Sequence, residues 1–220
     1  QKTFQLHGHT NTWGAYQCYG NPGFVLEQGS GRGSAYGGQS FYSRREYRDE
    51  LKSIAEQPDA NDPARNSWLF ERMKTLSAML PPELRDGELL TDLGNAWHEL
   101  GSFDEAIEAY DAAVVSADAR ASLRSVERLA NLHCRMVDRK WYQAEAAKAE
   151  WDAKERQSAI AQLELAGERL QWLNDKFAST EERLALLGRV YKSLALVADG
   201  PAHSREMLKK AERFYQQASE

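Results

Sequence analysis

Cys18, His7 and His9 are the residues near the start of this 220-residue chain whose types could do chemistry. A cysteine beside an imidazole is a nucleophile with its base. A free cysteine more often behaves as a small hydrophobe. Cys18 lies in an aromatic run, residues 12–19, and is expected as an inward-facing strand residue. His7 and His9 would share one face of a strand, which is a start for a metal site. No third ligand stands near them in sequence, so two partly exposed polar side chains are expected. The glycines from Gly29 to Gly38 lack the strand-to-helix setting of a phosphate-binding loop and read as a linker. No catalytic residue, metal ligand or cofactor site is therefore expected in this chain.

The charge balance narrows the function classes further. Against 28 lysines and arginines stand 33 acidic residues, a formal net charge of −5, with a pI near 5.7. A general nucleic-acid binder needs a basic face for phosphates, so that class is not expected. No apolar run approaches the roughly 18 residues of a membrane span. Residues 1–9 lack the basic start and apolar stretch of a signal peptide. Two cysteines far apart, Cys18 and Cys134, do not make a disulfide scaffold, and a reducing cytoplasm is expected.

The elements change character near residue 43. Before it, glycine and aromatic residues dominate. Residues 12–19 read as a short strand closed by Gly20-Asn21-Pro22-Gly23, and residues 29–42 as a Gly/Ser-rich linker. From Ser43 the apolar spacing is helical. Ser43 with Glu46 makes a capping box, and Asp62-Pro63 is a second helix start. Trp68, Met73, Leu76 and Leu80 are expected to form that helix's apolar face. Helices over about residues 83–100 and from Ser102 follow, hinged at Gly101. Residues 118–177 must hold two helices, with the break expected near residues 138–142. A helix from Thr180 and another from Ser204 complete about eight, in antiparallel pairs.

The run from Leu93 to Tyr110 resembles the tetratricopeptide repeat, a helix-turn-helix of roughly 34 residues. Leu93, Gly94 and Trp97 match the first helix of that unit, and Ala106 and Tyr110 the second. Gly94 and Ala106 are expected to lie close together, with Trp97 and Tyr110 filling the gaps beside them. Leu187-Gly188 with Tyr191, partnered by Ala211, Tyr215 and Ala218, resembles a further unit joined by a long connection. Leu129-Ala130 with His133, partnered by Ala159, Leu163 and Ala166, resembles another. Residues 43–80 have the length of a unit without its signature. The resemblance implies an all-α superhelix of helical hairpins over residues 43–220.

Residues 9–22 resemble a second family. His9-Thr10-Asn11-Thr12-Trp13-Gly14-Ala15-Tyr16, followed by Gly20-Asn21-Pro22, is similar to the closing strand of CHAT domains, which are caspase-like cysteine peptidases often found beside tetratricopeptide repeats. The likeness implies that residues 1–28 are the end of such a domain, with its catalytic His and Cys upstream of Gln1.

The repeat resemblance also implies a binding face. The first helix of each pair lines the concave side of such arrays, and the matching positions here are Asn95 and His98, then Arg124, Asn131 and Arg135, then Arg189 and Lys192. Asparagine amides there would hold a peptide backbone, and the cations would hold carboxylates. The expected function is a protein-interaction scaffold for a peptide or protein partner, acidic in character, with regulation of an adjoining peptidase domain as the role the second resemblance would add. A cysteine-peptidase fragment and a plain structural spacer are the alternatives. Trp141, Tyr142, Trp151 and Trp172 are expected as core or inter-repeat packing.

Overall fold

Local capping chemistry starts most of the helices. In the computed structural model, which describes residues 43–219, Ser43 Oγ accepts from the Glu46 N–H, and Glu46 Oε2 accepts from the Ser43 N–H. This is the expected capping box, and it opens α1, Arg44–Ala55. Asp62 accepts from the Arg65 N–H at 2.9 Å and Pro63 takes the first helical position of α2, Pro63–Met79. Replacing an N-cap serine typically costs about 1 kcal/mol. We expect Ser43→Ala to lose about that much stability in urea denaturation, and an unchanged midpoint would show that the box does not anchor α1.

A 3₁₀ turn, Pro82–Leu84, then leads to α3, Gly87–Glu99, capped by Asp86. Gly101, at φ +76°, lets the chain reverse into α4, Phe103–Val114. The remaining helices are α5, Leu123–Ala147; α6, Ala153–Lys176; α7, Glu181–Val197; and α8, Gly200–Ala218. Among the described residues the architecture is thus all-α, with eight α-helices and no strand. They form hairpins stacked in chain order: α3 packs on α4, α5 on α6 and α7 on α8, and α1 and α5 reach along the chain to α3 and α7.

Two boundaries differ from the sequence expectation. The break in residues 118–177 falls after Ala147, where Lys148 adopts a left-handed conformation and Asp152 caps the next helix. No proline or glycine marks that site, so periodicity alone does not reveal it. The α7–α8 connection is short, because α8 begins at Gly200 and the additional residues lengthen the helices. The expected strand, linker and CHAT-like segments, residues 1–28 and 29–42, lie outside the described residues.

The repeat positions pack as the resemblance implies. Leu90, Gly94, Trp97, Ala106, Tyr110 and Ala113 are buried between α3 and α4. Leu129, Ala130 and His133 of α5 and Ala159, Leu163 and Ala166 of α6 are buried as well. What lies over Gly94 is the ring of Tyr110 rather than Ala106: an added Cβ would stand 2.6 Å from it. Gly188 repeats the arrangement beneath Tyr215. In α2, Leu69 takes the core place expected for Trp68, which is exposed with Arg72 over its ring. Met73, Leu76 and Leu80 are buried as expected, so only the first position of the face differs. α5 joins two cores, giving Leu129 and Leu132 to the first and Ala130, Cys134 and Val137 to the second.

Candidate functional site

The first helices of the hairpins carry a polar seam. On α1, Arg44 pairs with Asp86 and Glu88, and Arg48 with Glu88 and Asp92. Between α3 and α5, the hydroxyls of Thr91 and Ser125 lie 2.9 Å apart. Asn95 Oδ1 accepts from both Tyr110 Oη and Arg128 Nη1, each at 2.7 Å. Between α5 and α7, Arg189 donates to Asn131 Oδ1 at 2.6 Å and reaches Asp138 at 3.4 Å. Ser193 donates to Asp138 at 2.8 Å, and Arg183 holds Glu127 through Nε and Nη2.

This seam changes the meaning of several expected site residues. Asn95, Asn131 and Arg189 are engaged inside the protein, so they join helix to helix as built. His98 is half-buried beside Phe103, with ring centroids 5.9 Å apart. Burial pushes its pKa down, and the charges of Arg128 and Arg135 push the same way against Glu99. At neutral pH it is an uncharged imidazole and adds no cation to the face. Burial likewise raises the Tyr110 hydroxyl above its ordinary range, so it remains a donor to Asn95.

Arg124 and Arg135 stand apart from this internal pairing. Both are exposed on α5, and neither has a carboxylate partner among the described residues. Arg135 lies over the Phe103 ring, 5.6 Å from its centroid. With Arg128 they follow the spacing i, i+4, i+11, which sets them along one side of a helix. Lys192 is also exposed but is not brought to them; it borders a shallow depression with Leu208 and Tyr215 of α8. The described site is therefore Arg124 and Arg135 flanking Arg128, which pairs with Glu99 at 3.7 Å, beside Asn95, His98 and Phe103.

Sequence reading missed Arg128 and Phe103. The stripe Arg124, Arg128, Asn131, Arg135 at helical spacing was the signal that could have found the first. It also misplaced two aromatics: Tyr142 and Trp172 are exposed rather than core, whereas Trp141 and Trp151, half-buried, pack against the second core as expected. Trp141 and Tyr142 meet edge-on at the far end of the long α5. Burial raises the Cys134 thiol to about 12, so it is an inert core residue. Cys18, His7 and His9 lie outside the described residues. Among those described, no group of His, Cys, Asp and Glu could hold a metal ion, and no helix is long and apolar enough to cross a membrane.

No family model matches the chain, and no curated protein does. Among solved structures it is similar to MamA MSR-1 C2, at 17% identity and a TM-score of 0.30, over 80% of this chain and 98% of that one. A superposition that loose carries no argument, and the fold rests on the packing described above.

Proposed function

We infer that the chain is a protein-interaction scaffold whose first-helix face takes an acidic peptide segment of a partner protein. The observation that carries this reading is the contrast within the face. Arg44, Arg48, Arg183 and Arg189 are bound to carboxylates or amides of the same chain, whereas Arg124 and Arg135 are exposed and have no carboxylate partner among the described residues. Phe103 beneath Arg135 limits the conformations of the guanidinium, so less freedom is lost when a carboxylate docks. Arg128 between them is held on Asn95 and lies 3.7 Å from Glu99, so its charge is already matched within the chain.

Exposed cations steer encounter more than they add to final affinity, and salt screens them over about 8 Å at physiological strength. We expect a fluorescein-labelled glutamate-rich peptide to bind, and its glutamine counterpart to bind much more weakly. Arg124→Glu with Arg135→Glu should weaken the glutamate peptide about tenfold at low salt, through slower association. Folding stability should change by no more than about 0.5 kcal/mol, since both side chains are exposed. Equal binding of the two peptides, or an unchanged affinity in the double variant, would overturn the reading.

A further inference from the structure

The second helices leave a groove that the seam of the first helices does not explain. α6 and α8 flank α7 without closing over it, and the space between them is about 750 Å³. Leu163, Gly167, Tyr191, Leu194 and Met207 give it an apolar floor. Trp172, 55% exposed, stands at its rim in edge contact with Phe177.

The walls are acidic. α6 lines the groove with Glu164, Glu168 and Asp175, and none of them pairs with a cation among the described residues. These carboxylates extend along α6 for about 16 Å at 1.5 Å per residue. On the α8 side, Glu206 holds Lys210 at 3.0 Å, and Lys210 Nζ lies 5.7 Å from the Tyr191 ring centroid. The protein's own lysine therefore shows how this groove receives an ammonium: one carboxylate and one aromatic face. The opposite wall offers the same chemistry, carboxylates beside Trp172, with no such lysine.

The equivalent groove one hairpin earlier is different. Between α4 and α6, over α5, it measures about 560 Å³, and its lining mixes Lys140 and Lys154 with Asp104, Glu108 and Glu155. There Glu155 accepts from Lys140 at 3.3 Å and from the Trp151 indole at 3.2 Å. Along its α6 wall the α6–α8 groove carries three carboxylates and no lysine or arginine, whereas the α6 wall of the earlier groove carries Lys154 beside Glu155.

We propose that this groove seats a basic amphipathic helix of a partner protein, its apolar residues on the Leu163–Tyr191–Leu194 floor and its lysines or arginines against Glu164, Glu168 and Asp175. Helices that dock in grooves place anchors at i, i+3, i+4 and i+7, and the carboxylates of α6 follow a matching helical spacing. This site goes beyond the scaffold reading above: it lies on other helices and selects the opposite charge.

The test uses a fluorescein-labelled leucine–lysine peptide of about 18 residues with helical spacing, long enough to form a helix on binding, and a scrambled peptide of the same composition. Anisotropy should show the patterned peptide binding at least tenfold more tightly than the scrambled one, because only the former aligns anchors and charges. Glu164→Lys with Glu168→Lys should weaken it at least tenfold. Trp172→Ala, a change at an exposed site, should weaken it about fivefold by removing an aromatic anchor. Arg124→Glu with Arg135→Glu should leave it unchanged, and this separates the two faces. The proposal is overturned if the patterned peptide does not bind, if both peptides bind equally, or if the α6 variants bind it as the parent does. None of those results bears on the acidic-peptide reading, which rests on its own probe.

Discussion

Gly94→Leu should lower the melting temperature by roughly 4–8 °C. Even a Cβ at Gly94 would stand 2.6–2.9 Å from three atoms of the Tyr110 ring. That ring is fully buried, and its hydroxyl is held by Asn95, which also receives Arg128. The ring cannot step aside without breaking a three-residue network. Overpacking of this kind costs about 1–3 kcal/mol, occasionally more, and leucine extends well past the first clash. About 1 kcal/mol returns from replacing a helical glycine, which offsets only part of it. For a chain of this size each kcal/mol moves the midpoint by about 2–4 °C. Gly188→Leu provides the comparison. Its neighbour Tyr215 is 40% exposed and can swing outward, so its loss should be distinctly smaller. Circular dichroism melts of both variants decide the matter, and a Gly94→Leu midpoint equal to the parent's would show that the α3–α4 contact is wrongly assigned.

Arg183→Met should cost about 2–4 kcal/mol in urea denaturation. Arg183 is 5% exposed, and its guanidinium holds Glu127 of α5 at 2.9 and 3.1 Å. The same group donates to the Ala178 carbonyl at 2.9 Å and reaches the Leu173 carbonyl at 3.4 Å, closing the end of α6. Removing one partner of a buried ion pair typically costs about 3–5 kcal/mol, because the other charge is left unpaired. Glu127 keeps some water, with 21% side-chain exposure, so the lower part of that range applies. Adding Glu127→Met should restore much of the loss, since removing both charges of such a pair is often near neutral. A single variant within about 0.5 kcal/mol of the parent would show that this junction does not hold α5, α6 and α7 together. A double variant no better than the single one would show that the unpaired carboxylate is not the source of the cost.

The chain's local signals foretold a good part of this fold. Ser43 with Glu46, Asp62 before Pro63, and Gly101 at its turn act within three or four residues. Their consequences are the same whatever surrounds them. The repeat of Leu93, Gly94, Trp97, Ala106 and Tyr110 was legible for a similar reason, since a hairpin of two short helices is itself a local object. The α5 break was not legible, because Lys148 and the residues around it carry no strong helix-stopping type. There the chain turns where α6 must reverse to cover α5.

The candidate sites depended on longer distances. Asn95, Asn131 and Arg189 read in sequence as a binding face, because their types and helical positions suit a peptide. The structure turns them inward as partners of Arg128, Arg189 and Asp138, residues up to 58 positions away. Which cation finds an internal carboxylate depends on how one hairpin stacks on the next, and helical spacing within one segment holds no record of it. Composition, capping and period therefore determined the helices, their pairing and the all-α class. Only the stacking of hairpins decided that Arg124 and Arg135 find no carboxylate partner among the described residues, that Trp172 faces solvent, and that the carboxylates of α6 line an open groove. Coulomb pairing falls off within a few ångströms of contact in water, so the sites follow from tertiary neighbours that the linear order of residues does not reveal.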